Sequence, residues 1–341
     1  MSDLPGDSTA TSDRAVTEPA DQAAFRLEAR AFLTEHAEPL AAIDPWQVSG
    51  FPDDQQARSY FERGRDWQRT LATHGWAGLT WPSEFGGAGR PSWAERVFRE
   101  ESASFGSHAG FIGSTIAMLG PTLQVHATEA VTSRFLPSLI SGEVAWCQLF
   151  SEPGAGSDLA GLATRAVRDD DHWVVDGQKV WNSCAQFADW GFLLARTDPD
   201  APKHRGITFL LVDMSSPGVE VRPLVQANGS THFNEVFLTG VRVPADQVVG
   251  EIDGGWAPAR TVLANEAAFI GRGGGVPASD RLRDLAAQHG GLDDPRIRQR
   301  LATVITRERL QGLMGQRIQA AVRDGREPPF DPGLTKVMAA A

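Results

Sequence analysis

The chain has 341 residues, of which 41% are hydrophobic, and its formal net charge is −11 at pH 7. This length predicts about two or three domains, and an acidic chain without a basic block argues against nucleic acid as the main partner. No apolar run approaches the roughly 20 residues that span a bilayer, and two cysteines with eight scattered histidines predict neither a disulfide framework nor a metal site.

Residues 1–20 are predicted to form a disordered tail, because they are rich in Ser, Thr, Asp and Ala. They contain no basic region followed by an apolar stretch, so a signal peptide is not indicated, and they are too acidic for a mitochondrial transit peptide. Together with the scarcity of cysteine, these features favour a reducing compartment, and we expect the protein to be cytoplasmic.

Helical periodicity over residues 21–143 predicts an N-terminal helical domain. Phe25, Leu27 and Leu33 recur near helical spacing in its first helix. Further helices are expected at about 60–71, 91–105, 111–127 and 129–140. Thr128 suits the N-cap of the last of these, because a threonine hydroxyl can accept a hydrogen bond from a free N–H at a helix start.

At residue 144 the helical period gives way to alternating β-branched and aromatic residues, which predicts a central β domain over residues 144–250. Within it, Asp176 and Gly177 separate two strand-like runs and have the sequence of a type I′ hairpin turn. The helical period returns afterwards, so residues 251–341 are predicted to form a C-terminal helical domain. This last domain looks truncated, because two helices and part of a third bury an amphipathic face poorly.

The expected fold class is therefore α+β with several domains. An N-terminal helical domain precedes a central small β-sandwich or barrel, and an incomplete C-terminal helical bundle follows.

Residues 152–158 (EPGAGSD) form a glycine-rich turn. Gly154 and Gly156 allow a close backbone approach or a positive φ, and successive N–H groups in such a turn can bind an anion, with the Ser157 hydroxyl as a further donor. A dinucleotide-binding fingerprint is disfavoured, because the third small residue is missing and Pro153 stands where that motif needs the end of a strand. For this motif alone, an ordinary surface turn stays an open alternative.

Trp181 is expected at the end of a strand, followed by Asn182 and Ser183. An indole can cover one face of a planar ring system, and the Ser183 hydroxyl could donate to a heteroatom at the edge of that ring. A buried core position is the usual role of a single tryptophan in a sheet.

These segments together resemble the acyl-CoA dehydrogenase family from about residue 21 to the end of the chain. The matching segments are AGLTWP at 77–82, FSEPGAGSD at 150–158, GQK at 177–179 and VRVP at 241–244. The run WGFLLAR at 190–196 continues the family pattern, which favours a cofactor-binding role for Trp181 over a core position.

The resemblance implies an oxidoreductase of the kind used in fatty acid degradation, which removes hydrogen from the α and β carbons of an acyl-CoA thioester with FAD as cofactor. It implies an electron-transfer flavoprotein or similar acceptor as partner, and a homo-oligomer (dimer or tetramer) or a heteromer. It also implies roles for particular residues: Ser151 near the N1/O2 edge of the flavin, Ser157 at the pyrophosphate and the CoA side of the substrate, and Trp181 and Ser183 over the ring near N5. The residues expected to bind FAD are Gln148, Leu149, Phe150, Ser151, Ser157, Trp181, Asn182 and Ser183.

The reaction needs a carboxylate to take the α-proton while the β-hydrogen leaves as hydride to N5. A minority of the family place this glutamate on the first helix of the C-terminal domain, which implies Glu266 as the base here, whereas many members place it farther along than residue 341. A carboxylate in an apolar pocket has a raised pKa, which suits a base. A solvated or salt-bridged helix residue stays the alternative.

Two departures from the family pattern concern this same region. Ala267 stands where many relatives carry arginine, and the RGGG sequence at 272–275 does not match the Arg-x-x-Phe-Gly segment that reaches a neighbour's FAD. Two other functions therefore stay open. One is a flavin oxidase or monooxygenase on the same fold, and the other is a non-catalytic or pairing subunit, or a truncated product that holds no FAD.

Overall fold

The computed structural model describes residues 19–39, 51, 53–106, 110–271 and 278–323, with the single residues 326, 334 and 337. Most of the tail predicted over residues 1–20 lies outside the described residues, as do the RGGG segment and most of the helix expected from about residue 335. Within the described part, no helix is both long and apolar enough to cross a membrane.

The N-terminal part of the chain is helical, as predicted. Its helices are α1 (Ala20–His36), α2 (Asp54–Thr73), α3 (Ser92–Ser102), α4 (Gly110–His126) and α5 (Glu129–Ile140). The Thr128 side chain accepts a hydrogen bond from Val131 N at 3.4 Å, so the predicted N-cap of α5 is confirmed. Helix α1 begins at Ala20, inside the segment expected to be disordered.

The eight strands found in the described residues form one sheet with the order β6-β7-β3-β2-β4-β5-β8, and β1 pairs in parallel with β4 outside this path. The strands are β1 (Trp146–Leu149), β2 (Arg165–Asp169), β3 (His172–Ser183), β4 (Trp190–Arg196), β5 (Ile207–Asp213), β6 (Val219–Leu224), β7 (Phe233–Pro244) and β8 (Val248–Val249). Strand β4 lies between β2 and β5 in the sheet. It carries five consecutive buried residues, so it is buried almost throughout.

The hairpin predicted at Asp176 and Gly177 is wrong. Strand β3 continues through both residues and pairs with β7 along its length, with a register shift between Val175 and Gly177. A Cβ at Gly177 would lie 2.7 Å from the Thr164 Cα, so glycine is needed here because another backbone passes close by and not because the chain turns. The β2–β3 turn lies earlier, at residues 170–171, where Asp170 has φ 51°.

The C-terminal part is helical, as predicted, and comprises α6 (Trp256–Gly271), α7 (Ala278–Gln288) and α8 (Pro295–Arg323) in the described residues. Helix α7 was not predicted, because its polar composition hides its amphipathic character. Helix α6 packs against α4, where His126 Nε2 lies 2.8 Å from Thr261 Oγ1 and Asn265 Nδ2 donates to Met118 O at 3.4 Å. The predicted fold class, helices around a central β domain, is confirmed.

Candidate active site

A cavity of about 410 Å³ lies where the end of β3, the segment after β1, and helices α4 and α6 meet. Aromatic, hydroxyl and amide side chains line it together with one carboxylate. The lining residues are Phe111, Ser114, Thr115, Met118, Gln148, Phe150, Ser151, Val180, Trp181, Asn182, Ser183, Phe233, Glu266 and Phe269.

Trp181 enters this cavity from a β-bulge. The pairing of β3 with β7 shifts register between Val180 and Asn182, and Trp181 has φ 63°, in the left-handed region that bulky residues rarely adopt. Its side chain stays 60% exposed, with the Phe233 ring edge-on at a centroid distance of 5.8 Å. Packing within the described chain does not explain a large aromatic that is held in an unfavourable backbone conformation and left open to solvent.

Three bonds from β3 hold the segment formed by the end of β1 and the residues that follow it. Asn182 Nδ2 donates to Gln148 O at 2.7 Å, Lys179 Nζ donates to Phe150 O at 3.0 Å, and Val180 N donates to Ser151 O at 2.9 Å. Because three carbonyl groups of this segment are fixed to the strand that carries Trp181, the two walls of the cavity are joined rigidly.

A buried ion pair reinforces that junction. The Lys179 side chain is fully buried and its Nζ donates to Glu152 Oε1 at 2.8 Å, while the Glu152 carboxylate also accepts from Ala163 N at 2.7 Å and Thr164 N at 2.9 Å. Burial lowers the pKa of Lys179 to about 8, against the opposing effect of Glu152. Burial raises the pKa of Glu152, but Lys179 and the N–H donors outweigh it and hold that pKa below its usual range.

The glycine-rich turn at 152–158 is closed by reciprocal backbone bonds between Glu152 and Ala155, at 2.9 and 3.0 Å. Gly154 and Gly156 do not use positive φ, and a Cβ at either would meet open space. The protein's own packing therefore does not require glycine at these positions.

Glu266, on α6, lines the same cavity as Trp181. It is half-buried and shares the lining with Phe269, one turn farther along the same helix. Its neighbour Asn265 fixes this turn of α6 to α4 through Met118 O. A carboxylate on a helix that is bonded to its neighbour is suited to act on a group bound in the cavity.

The structure brings most of the predicted site residues together. Gln148, Phe150, Ser151, Trp181, Asn182, Ser183 and Glu266 all line the cavity. Two others do not line it: the Leu149 side chain is fully buried in the sheet core, and Ser157 lies exposed on the glycine-rich turn. At Leu149, the strand alternation that exposes Gln148 turns the next side chain inward.

The wall contributed by α4 was missed. Ser114 and Thr115 each lie three or four residues from both Phe111 and Met118, so these four residues share one helix face. This spacing was visible in the sequence, but it equally describes a face packed in a core. Phe233 and Phe269 were missed because nothing local distinguishes them from core aromatics. In the part of the chain that the structure describes, no cluster of potential metal ligands occurs.

Comparison with known proteins gives the family. Residues 19–143 match the model of the acyl-CoA dehydrogenase N-terminal domain, and residues 147–241 match the model of its middle domain. Acyl-CoA dehydrogenase FadE34 of Mycobacterium tuberculosis is 41% identical over 293 residues, covering 86% of this chain and 39% of its own length. The chain thus spans well under half of that relative.

Acyl-CoA dehydrogenase IpdE1 of Mycobacterium tuberculosis is 37% identical over 321 residues, covering 92% of this chain and 81% of its own length. Among solved structures, the Tcur3481-Tcur3483 steroid ACAD superposes with a TM-score of 0.72 at 33% identity, covering 94% of this chain and 81% of that one. Sequence, fold and domain order agree across these comparisons, and the chain belongs to the acyl-CoA dehydrogenase family, a family of oxidoreductases.

Proposed function

We propose that this protein dehydrogenates an acyl-CoA thioester between the α and β carbons, with FAD bound in the 410 Å³ cavity. The observation that carries the proposal is the pairing of Trp181 and Glu266 across one cavity. An exposed indole can cover a flavin ring, and a carboxylate facing the same space can take a proton from a substrate lying against that ring.

The residues present fit FAD. The Trp181 bulge presents a flat aromatic surface to the cavity, and the Ser151 and Ser183 hydroxyls line it as possible donors. Asn182 Oδ1 is buried without a hydrogen-bond partner among the described residues, although its Nδ2 is bonded. Open space beside Gly154 and Gly156 suits close approach of the diphosphate to backbone N–H groups. Bound FAD would supply the hydride acceptor.

Glu266 would then act as the general base that removes the α-proton. Asn265 anchors its helix to α4, which would keep the carboxylate at a fixed distance from the opposite wall. The Phe269 and Met118 side chains would exclude water from the reacting carbons. Ser157, on the exposed turn, would meet the diphosphate or the CoA moiety rather than the acyl group.

For the acyl group we propose a bulky, ring-bearing chain. The support is the printed name of one similar structure, a steroid ACAD, together with the broad apolar and aromatic faces of Phe111, Met118 and Phe233 at the cavity. Comparing flavin reduction by a steroid-side-chain CoA ester and by butyryl-CoA tests this choice. Faster reduction by butyryl-CoA would contradict it.

Absorbance of the purified protein tests the function itself. FAD bound at the cavity gives the yellow spectrum of oxidised flavin, and anaerobic addition of a substrate acyl-CoA should bleach it. Protein that neither retains FAD nor takes it up on reconstitution would instead favour a pairing subunit. Ala267, which stands where many relatives carry arginine, is the feature that keeps this second candidate open. Rapid reoxidation by O₂ would favour an oxidase.

The proposed electron acceptor is an electron-transfer flavoprotein or a similar protein, which a reduction assay with purified acceptor tests directly. We further propose that the chain works as an oligomer, either a homo-oligomer or a heteromer. The C-terminal helices support this, because they leave several large apolar side chains exposed. Outside the cavity lining, these include Leu263, Leu282, Ile297, Leu310 and Leu313.

A further inference from the structure

Lys179 is fully buried, yet it is not among the residues that line the cavity. A buried ammonium is costly unless its hydrogen-bonding capacity is used, so its partners indicate why it is kept. It donates to the Glu152 carboxylate and to the backbone carbonyl of Phe150. The second bond is informative, because its acceptor belongs to a peptide whose next residue, Ser151, lines the cavity.

The Phe150–Ser151 peptide connects this ammonium to the cavity. The described part of the chain contains no cis peptide bond, so the Phe150 C=O and the Ser151 N–H point in opposite directions from one planar unit. The carbonyl points at Lys179, and the Ser151 N–H therefore points away from it. Among the described residues this N–H has no acceptor, whereas the neighbouring Glu152 N–H is bonded to Ala155 O.

A cation bonded to a carbonyl oxygen polarises the whole peptide and makes its N–H a stronger donor. The opposing charge of Glu152 is shared among three donors, since its two oxygens accept from Lys179, Ala163 N and Thr164 N. Lys179, by contrast, directs one N–H bond straight at the peptide. Among the described hydrogen bonds, the ammonium therefore acts directly on the Phe150–Ser151 peptide, whereas none joins the Glu152 carboxylate to it.

We propose that Lys179 is a positioning residue that acts through the Phe150–Ser151 peptide to favour negative charge on the ring of the bound flavin, and so raises the reduction potential of that flavin. The proposal rests on the proposed function, because it takes the ligand of the cavity to be FAD. Two-electron reduction places extra electron density on the carbonyl side of the flavin ring, and a strengthened N–H donor stabilises that form more than the oxidised one.

The test is the midpoint potential of bound FAD at pH 6.5, measured anaerobically against a reference dye in wild type, Lys179→Met and Glu152→Gln. At this pH the Lys179 ammonium is protonated, because its pKa is about 8. Lys179→Met should weaken binding of reduced relative to oxidised flavin on the order of tenfold, which corresponds to a potential about 30 mV lower for a two-electron couple.

Glu152→Gln is the matched control, because it breaks the same buried ion pair but keeps the Lys179 amine beside Phe150 O. Because Glu152 raises the pKa of Lys179, this control is measured also at pH 5.5 to keep the ammonium protonated. Its potential should rise or stay at that of wild type at the same pH, even though both variants should lose stability in thermal unfolding. Lys179→Gln, which keeps a donor without charge, gives a second measurement if the methionine variant does not fold, and its potential should also lie below wild type.

Two results would overturn the inference. One is a wild-type potential in the lysine variants, and the other is an equal fall in the lysine and glutamate variants, which would reduce the pair to a structural role. A wild-type protein that binds no FAD is a different failure, because it removes the proposed function itself.

Discussion

At the scale of single residues, Trp181 combines two costs that folding alone does not explain. Its backbone lies in the left-handed region, which costs roughly 1–2 kcal/mol for an L-residue, and its ring is 60% exposed. A ligand that covers the ring would recover part of this cost. The residue is therefore a place where local strain and proposed function coincide.

Replacing Trp181 separates strain from function. Trp181→Gly should raise thermal stability above that of Trp181→Ala by about 1 kcal/mol, because glycine adopts positive φ without penalty. Both variants should retain FAD less well than wild type, since both lack the indole. Unfolding curves and flavin content measured together check this, and equal FAD affinity in wild type and both variants would remove the ring from the proposed site.

Glu152 gives a prediction for acid stability. Its pKa in the folded protein lies below the usual range, so its contribution to stability is present above the unfolded-state pKa of about 4.3 and is lost as pH falls through the lower folded value. Removing one partner of a buried ion pair costs about 3–5 kcal/mol, so Glu152→Gln should be less stable at neutral pH.

In the same variant, the free energy of unfolding, measured with denaturant between pH 7 and pH 3, should fall less steeply as the pH is lowered. The slope is smaller because the lost carboxylate can no longer take up a proton on unfolding. If the free energy of unfolding depends on pH as steeply as in wild type, other carboxylates dominate acid unfolding.

At the scale of elements, the β3 strand shows where sequence reasoning succeeded and where it failed. The Asp176 and Gly177 pair has turn chemistry, but Thr164 on a neighbouring segment requires the glycine, and a contact so distant in sequence leaves no local signal. The Trp181 bulge was equally invisible, because it depends on pairing with β7. The helices and the change to strands near residue 144 were predictable, since both follow from hydrophobic periodicity.

Two glycine substitutions test whether β3 needs glycine at position 177 because of a close backbone contact. Gly177→Ala should destabilise the protein by about 1–3 kcal/mol, because the added Cβ meets Thr164 and backbone must shift. Gly156→Ala provides the control: its Cβ meets open space, so stability should stay within about 0.5 kcal/mol of wild type. FAD affinity should fall in Gly156→Ala if the turn approaches the diphosphate closely.

At the scale of the whole molecule, the cavity is assembled from parts far apart in the chain. Helix α4 supplies one wall, the β1 and β3 ends supply a second, and α6 supplies the carboxylate. The motifs at residues 148–151 and 181–183 were recognisable because they are contiguous. Glu266 was identified only through family resemblance, and the α4 wall was missed, because a surface formed by tertiary packing has no single sequence signature.

Oligomer formation is also a property of the whole molecule. The chain should form an oligomer in solution, because apolar side chains such as Leu263, Leu310 and Leu313 are 37%, 45% and 56% exposed on the C-terminal helices. Light scattering of the FAD-loaded protein measures this. Leu310→Glu with Leu313→Glu should reduce the average mass without unfolding the β domain. A stable FAD-bound monomer in wild type would contradict the expectation.

The most direct test of the proposed chemistry is the rate at which an acyl-CoA substrate reduces the bound flavin in Glu266→Gln. Glutamine keeps the shape of the side chain but cannot accept the α-proton, so the rate in anaerobic stopped-flow should fall on the order of 10²–10⁴-fold. FAD binding should be retained, and the exposed Glu251→Gln should reduce its flavin at the wild-type rate. Flavin reduction at the wild-type rate in Glu266→Gln would show that Glu266 is structural and contradict the proposed mechanism.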